Sequence, residues 1–231
     1  MSSVSVVFPC LNEEKTLGLC LQRAHATLKA TGRSYEIIVA DNGSTDQSVA
    51  LARSLGARVV HIKTPGYGAA VSGGLAEARN SVAVMLDCDL SYPVEEIPKL
   101  LEQVDLGFDF VLGNRLGAGL EKGAMPVLHQ RLGTPVLSTL IRVLTGMPVY
   151  DSNSGLRAVR REALAKMSFC STGMELASEM LMDAARIKVK YKEIPIRFVK
   201  DQRGRRPHLR PVADGLRHVR LIIRSHFKLH S

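Results

Sequence analysis

The chain has 231 residues and a formal charge of +9, with 31 Lys and Arg against 22 Asp and Glu; it is long enough to bury one good core, and the absence of repeats or low-complexity stretches makes a single domain the expectation. Cys10, Cys20, Cys88 and Cys170 lie far apart without a C-x-x-C pair or a His at zinc spacing, which indicates neither a metal knuckle nor a disulfide framework and fits a reducing cytoplasm. No basic stretch with a long apolar core opens the chain and every apolar run breaks well short of about 18 residues, so neither a secretory signal nor a membrane span is expected.

In chain order, β-rich or apolar runs at 4–8, 36–40, 58–63 and 82–86 alternate with helical patterns at 16–30, 47–55 and 69–79. This β-α-β-α order predicts an α/β fold, a Rossmann-like parallel sheet with helices on both faces, whose ligands bind outside the carboxyl ends of the strands. The polar clusters 9–13, 41–46, 65–68 and 87–89 then converge on one rim. Beyond Asp89 the pattern predicts a helix at 95–104, a strand at 108–112, a glycine-rich loop at 113–123 and a helix at 128–144. A polar loop at 151–155, helices at 161–167 and 174–186, a strand at 189–196 and a closing helix at 212–228 follow.

The excess charge sits in the tail. From Arg197 onward ten Lys or Arg residues face only Asp201 and Asp214, a surface suited to anionic lipid headgroups or a phosphorylated substrate. Nucleic acid fits it least, because the chain has no tryptophan, no zinc finger and few aromatics near the basic residues to stack bases. On the closing helix Leu216, Val219, Ile223 and Phe227 recur at 3,4,4 spacing, and Arg217, Arg220, Arg224 and Lys228 follow about 100° away. Such a helix either packs as an ordinary surface helix or lies in the plane of a membrane, where each basic residue near anionic lipid contributes about 1 kcal/mol.

Asp87-Cys88-Asp89 stands where an apolar run stops and brings two carboxylates to the mouth of a buried strand. A nucleotide diphosphate cannot approach bare carboxylates, since like charges about 4 Å apart repel by roughly 4 kcal/mol at an effective dielectric of about 20. A shared hard cation reverses that sign, and Mg²⁺ or Mn²⁺ held by one or two carboxylates plus phosphate oxygens suits the pair. Asp89 and Ser91 also fit a cap and turn before Pro93. In the 41–47 segment Ser44 and Gln47 fit a capping box and Asn42-Gly43 a turn with positive φ. Asp41 is needed for neither and, as an acceptor at a strand end, is free to hold a base N–H or a ribose hydroxyl. Gly66-Tyr67-Gly68 and Gly73-Gly74 miss the G-x-G-x-x-G spacing; they either turn tightly or let backbone approach a diphosphate. The basic loop 201–210 is interrupted by Gly204 and Pro207, which argues against a plain helix face, and its clustered guanidinium forks match phosphate oxygens.

In this order the pieces resemble family 2 glycosyltransferases nearly end to end, and particularly the dolichyl- or polyprenyl-phosphate mannose or glucose synthase-like branch. Residues 6–14 are similar to its opening P-x-x-N-E motif, 41–46 to its nucleotide motif and Asp87-Cys88-Asp89 to its D-x-D. Gly113-Asn114-Arg115, 151–157, Glu175 with Glu179, and the loop 203–210 are similar to its acceptor-side motifs. The resemblance implies one GT-A domain over 1–231, with a nucleotide-sugar-binding half at 1–112 and an acceptor-side half at 113–231. It implies that Pro9, Leu11, Glu13, Asp41, Gly68 and Asp87 bind the donor, and that Asp87 and Asp89 hold Mg²⁺ or Mn²⁺. Ser152, Asn153, Ser154, Arg157, Arg203, Arg205 and Arg210 would hold the acceptor or its phosphate, and Asp89, Arg115 and Glu179 would act in catalysis. Ser91 stands where some polyprenyl-phosphate mannose synthases carry a glutamine ligand, and the chain shows none of the membrane helices that many members of the branch append.

The expectation is therefore an enzyme: a metal-dependent inverting hexosyltransferase moving sugar from UDP or GDP to a polyprenyl phosphate. It would work in the cytoplasm, with peripheral contact to the inner face of the membrane through its basic C-terminus, and a homo-oligomer is left open. A phosphomonoester acceptor, with a second pKa of about 6, needs positioning more than a strong base. The alternative is the same donor chemistry on a soluble hydroxyl acceptor, a nucleotide sugar or specialised metabolite, which does need a base; Glu175, Glu179 and Asp151 are its candidates. A sugar-1-phosphate nucleotidyltransferase is disfavoured, because 9–15 offers no glycine-rich triphosphate loop.

Overall fold

The computed structural model describes residues 1–117, 120–203 and 211–229. The first half runs β1 (Val4–Cys10), α1 (Glu14–Ala30), β2 (Tyr35–Asp41), α2 (Ser48–Ser54), β3 (Arg58–His61), α3 (Tyr67–Ala76) and β4 (Val82–Met85). A 3₁₀ turn at Val94–Glu96 leads into α4 (Ile97–Asp105) and β5 (Phe110–Asn114), and a π turn at His129–Gly133 leads into α5 (Thr134–Thr145). The chain continues through β6 (Arg157–Arg160), α6 (Arg161–Leu164), α7 (Leu176–Arg186), β7 (Tyr191–Pro195) and α8 (Pro211–Leu229).

The strands form one seven-stranded sheet in the order β3-β2-β1-β4-β6-β5-β7. β1 pairs in parallel with β2 on one side and β4 on the other, so the strand order reverses at β1 and the carboxyl ends of β1, β2 and β4 share a rim. That is where open α/β sheets leave a crevice. Every residue of β1 is buried. Val4, Val6 and Phe8 belong to one core cluster with Leu17 and Leu21 of α1 and Leu100 and Leu101 of α4, while Val7 belongs to a second with Val71 and Leu75 of α3, Ile141 of α5 and Met180 of α7. A strand sandwiched between two helical layers reads as a nearly continuous apolar run, as this one does.

The purely parallel sheet expected from the alternation is corrected to a mixed one. β6 lies antiparallel to both β4 and β5. Its four residues carry Arg157 and Arg160 at the ends, so the run looks too charged for a central strand, yet both charges are satisfied by backbone carbonyls. The apolar stripe expected on the last helix is also divided: Ile222 is the fully buried contact, whereas Leu216, Ile223 and Phe227 are exposed. Among the described residues no helix is long and apolar enough to cross a membrane.

Helix α3 sits unusually close to the sheet, and glycine allows it. A Cβ at Gly74 would press on Val7 and lie 2.9 Å from Ala40 Cβ, whereas one at Gly215 in α8 would meet nothing. Gly74→Val should therefore lose about 1–3 kcal/mol through overpacking, while Gly215→Ala should gain up to about 1 kcal/mol of helix propensity. Urea denaturation midpoints measure both; equal midpoints for the two variants would contradict the packing account.

Candidate active site

The rim begins with two loops stitched together. After β1, Asn12 adopts a positive φ of 57°, and its Oδ1 accepts the N–H groups of Thr45 at 2.7 Å and Asp46 at 3.3 Å. The Asn12 and Glu13 N–H groups donate to the hydroxyls of Ser44 and Ser48 at 3.0 and 2.9 Å. Ser44 therefore bridges the β1 and β2 loops and does not form the capping box expected of it; Gln47 is the residue before α2 and makes no side-chain cap. Pro9, Leu11 and Glu13 lie on this wall, with Leu11 exposed and Glu13 buried.

Asp41 also has a local task that the sequence did not suggest. Its carboxylate accepts the N–H groups of Gly43 and Ser44 and lies 3.1 Å from His61 Nδ1, so it folds its own loop. Burial alone would raise its pKa, but the hydrogen bonds from Ser44, His61 and Gly43 hold it below the usual carboxylate range. Asn42, expected only to turn the chain with Gly43, also fastens the next loop: its amide donates to the carbonyls of Ile62 and Thr64 and its oxygen accepts the Gly66 N–H at 2.7 Å.

At the end of β4 the two carboxylates differ. Asp87 accepts the Tyr67 hydroxyl at 2.8 Å, and its pKa is pushed up to about 7 by burial and by the charge of Asp89, against the Tyr67 hydrogen bond and the charges of Arg203 and Arg115. Asp89 Oδ1 accepts both the backbone N–H and the hydroxyl of Ser91, at 2.9 and 2.6 Å. Its Oδ2 lies 3.1 Å from Arg203 Nη2. The same guanidinium contacts Glu13 Oε1 at 3.3 Å and Asp201 Oδ2 at 2.6 Å. Arg203 thus joins carboxylates on the β1, β4 and tail segments, while Arg205 and Arg210 lie outside the described residues.

The acceptor-side residues fall into struts and open groups. Arg115 is held bidentately by the fully buried Asp151, at 2.8 and 2.7 Å, and stacks over Phe198. Burial works against its charge, but Asp151 raises its pKa further still. Arg157, expected to hold phosphate, is corrected to a structural role: it is fully buried and donates to the carbonyls of Ser152, Ser154 and Ala177, leaving its fork spent. Ser152 is buried against Ser138, and Asn153 is half-buried. The Ser154 hydroxyl is buried without a hydrogen-bond partner. Gly155 brings this loop against the carboxylates, since a Cβ there would lie 3.0 Å from Asp87 Oδ2.

Two further expectations change. Gly68 does not open a path for a diphosphate; a Cβ there would lie 2.7 Å from the Ser171 carbonyl and 2.5 Å from that of Gly173, so its bareness seats the 171–173 loop on α3. Glu179 accepts the N–H groups of Cys170 and Ser171 at 3.0 and 2.9 Å, which commits both oxygens to that same loop. Glu175 differs: its Oε2 is buried and has no hydrogen-bond partner. A cleft of about 700 Å³ opens beside it between the 168–172 loop, α7 and α8, with Arg220 and Arg224 on its far wall.

Known proteins share this plan. Residues 5–168 match the family described as Glycosyl transferase family 2. A low-salt glycan biosynthesis hexosyltransferase, Agl6, of Haloferax volcanii is 38% identical across 96% of this chain, which spans 53% of that protein, about half its length. A dolichyl-phosphate hexose transferase of the same organism is 35% identical, with 92% of this chain and 89% of the relative covered. Among solved structures, glucosyl-3-phosphoglycerate synthase from Mycobacterium tuberculosis in complex with Mn²⁺, uridine diphosphate and glucosyl-3-phosphoglycerate is similar with a TM-score of 0.73 at 25% identity, covering 99% of this chain and 80% of that one. The matched segment contains the β1, β2 and β4 ends that build the rim, and on this evidence the chain belongs to glycosyltransferase family 2.

Proposed function

We propose that the rim binds a UDP- or GDP-sugar together with Mg²⁺ or Mn²⁺ and that the chain transfers the hexose, with inversion, to a small soluble acceptor through a hydroxyl. The donor would occupy the 1–112 half and the acceptor the 113–231 half. The observation that carries this reading is the pair of carboxylates just past β4, where Asp89 Oδ2 faces Arg203 Nη2 at 3.1 Å and Gly155 lets the 151–155 loop approach Asp87 Oδ2. The donor set is hard oxygen, and among the described residues no third His, Cys, Asp or Glu gathers with it. That composition fits a dication shared with a donor's phosphates. When bound, the cation supplies Lewis-acid stabilisation of the departing diphosphate.

The chain's own residues supply the rest. Pro9, Leu11 and Glu13, on loops braced by Asn12, Ser44 and Asp41, form the wall for base and ribose, and Gly155 lets the 151–155 loop close against Asp87. A hydroxyl acceptor must lose its proton as its oxygen bonds to the anomeric carbon and the bond to the diphosphate breaks. Of the three candidate bases, Asp151 is neutralised by Arg115 and Glu179 is spent on backbone N–H groups. Glu175, whose buried Oε2 has no hydrogen-bond partner, is the base in this reading. The complexes of the mycobacterial synthase with phosphoglyceric acid support a soluble, phosphate-bearing acceptor.

A second reading, transfer to a polyprenyl phosphate at a membrane surface, is supported by the name of the dolichyl-phosphate hexose transferase relative. It is also supported by α8, where Leu216, Ile223 and Phe227 are exposed in a helix that carries Arg217, Arg220 and Arg224. Incubation with UDP- and GDP-sugars and Mn²⁺, with either phosphoglycerate-type hydroxy acids or polyprenyl phosphate, separates the readings by the mass of the product. Asp89→Ala should lower turnover on the order of 10²–10⁴-fold with the fold intact. Glu175→Gln should cost about 10²–10⁴-fold on a hydroxyl acceptor and little on a phosphate. An active Asp89→Ala enzyme would remove the cation from the account, and product from polyprenyl phosphate alone would select the second reading.

The charge argument also sets a pH dependence. Because the folded protein raises the Asp87 pKa, it holds that proton more tightly than the unfolded chain, and stability falls as pH rises from about 4 through about 7. Asp87→Asn removes the loss. The ligand-free variant should melt above wild type at about pH 8, with the gap closing towards about pH 4; equal melting at the higher pH would refute a strained Asp87.

A further inference from the structure

We infer that Arg203 is the resident counter-cation of the rim, and that in the nucleotide-free protein it competes with a divalent cation for Asp89 until a nucleotide diphosphate offers its guanidinium another anion. The inference rests on the reading of Asp87 and Asp89 as a cation site. Three features of the structure carry it.

Asp89 has one oxygen to give. Oδ1 is committed to the Ser91 N–H and hydroxyl at 2.9 and 2.6 Å, and Oδ2 faces Arg203 Nη2 at 3.1 Å. A dication reaching Oδ2 meets a positive charge already there.

The guanidinium is delivered by backbone pairing rather than drifting in from solvent. The Val199 N–H donates to the Ser91 carbonyl at 3.0 Å and the Gln202 N–H to the Asp89 carbonyl at 3.1 Å, so the tail runs along the turn that carries the carboxylates. Asp201 then orients the fork, accepting from Arg203 Nε at 2.8 Å and Nη2 at 2.6 Å. The side chain is only 18% exposed.

The surroundings leave the fork able to exchange partners. Nη1 reaches Glu13 at 3.3 Å, a long contact beside the short ones to Asp201. Phosphate oxygens match a guanidinium fork bidentately and bind it more strongly than a single long carboxylate contact. A nucleotide diphosphate at the rim therefore draws Arg203 off Asp89 and frees Oδ2, which couples nucleotide and cation binding positively. The cation therefore binds the nucleotide complex more tightly than its own contact with the phosphates would give, and Arg203 supplies that added coupling.

Mn²⁺ titrations of the intact protein followed by electron paramagnetic resonance, with and without UDP or GDP, test this without any turnover. Arg203→Gln should tighten Mn²⁺ binding to the nucleotide-free protein about tenfold and weaken it about tenfold when the nucleotide is present. Arg203→Lys keeps the charge but loses the fork, so it should match wild type without nucleotide and fall below it with nucleotide. Unchanged or weaker Mn²⁺ binding by nucleotide-free Arg203→Gln overturns the inference. Should that variant fail to fold, the lysine variant decides, because an unchanged ratio of Mn²⁺ affinities with and without nucleotide overturns it equally. Wild-type protein that binds no Mn²⁺ even with UDP and GDP would overturn the cation site itself, a failure distinguishable from the first.

Discussion

Two carboxylates at the end of a buried central strand impose the constraint around which this molecule is arranged. Asp87 and Asp89 follow β4, which lies next to β1, the strand buried along its whole length. A low-dielectric setting makes their repulsion expensive, and the structure answers locally. Tyr67 donates to Asp87, Ser91 donates twice to Asp89, and Arg203 stands against the remaining oxygen. The compensation is incomplete, as the raised Asp87 pKa shows. Incomplete compensation is a cost to stability that makes sense at a place meant to receive positive charge.

Around this pair the protein separates rigid supports from groups that can change partners. Asn12, Asp41 and Asn42 spend their side chains on backbone N–H and carbonyl groups of neighbouring loops. Arg157 ties the 152–154 turn to Ala177 just inside α7, and the Arg115–Asp151 pair fixes the end of β5 against the loop after α5. Removing one member of a buried pair such as the last strands its partner's charge and costs about 3–5 kcal/mol, so these residues belong to the scaffold whatever else they touch. What stays adjustable is small: Arg203 across the rim, Glu175 beside the cleft, and the Ser154 hydroxyl.

Much of this was legible in the residues. The alternation of short apolar runs with helical patterns located β1 to β4 and α1 to α3 within a few residues, because strands buried on both faces leave unbroken apolar runs. The Asp87-Cys88-Asp89 signal was legible because an acidic pair directly after such a run is only partly explained by the turn that Asp89 makes with Ser91. β6 was not, since the pattern of Arg157 and Arg160 gives no sign that backbone carbonyls across the fold will satisfy both. The assignments of Arg157, Glu179 and Gly68 went astray for a related reason. Residue type reports what a side chain can bind, while long-range backbone geometry decides what it does bind, and the bracing contacts of Tyr67, Asn42 and Asn12 went unforeseen on the same ground. A polar residue one or two positions past a strand end on a shared rim is the signal that could have found Asn12 and Asn42, whereas Tyr67 opens α3 six residues after β3 and carries no such signal.

A rim of this charge should accept a nucleotide diphosphate only with a divalent cation between them. Calorimetric titration of UDP and GDP into the wild-type protein, once with Mn²⁺ and once with EDTA, tests it most directly. Saturable binding of at least one nucleotide with Mn²⁺ and a loss of at least about tenfold in affinity with EDTA are expected. Equal affinity in the two conditions would contradict it.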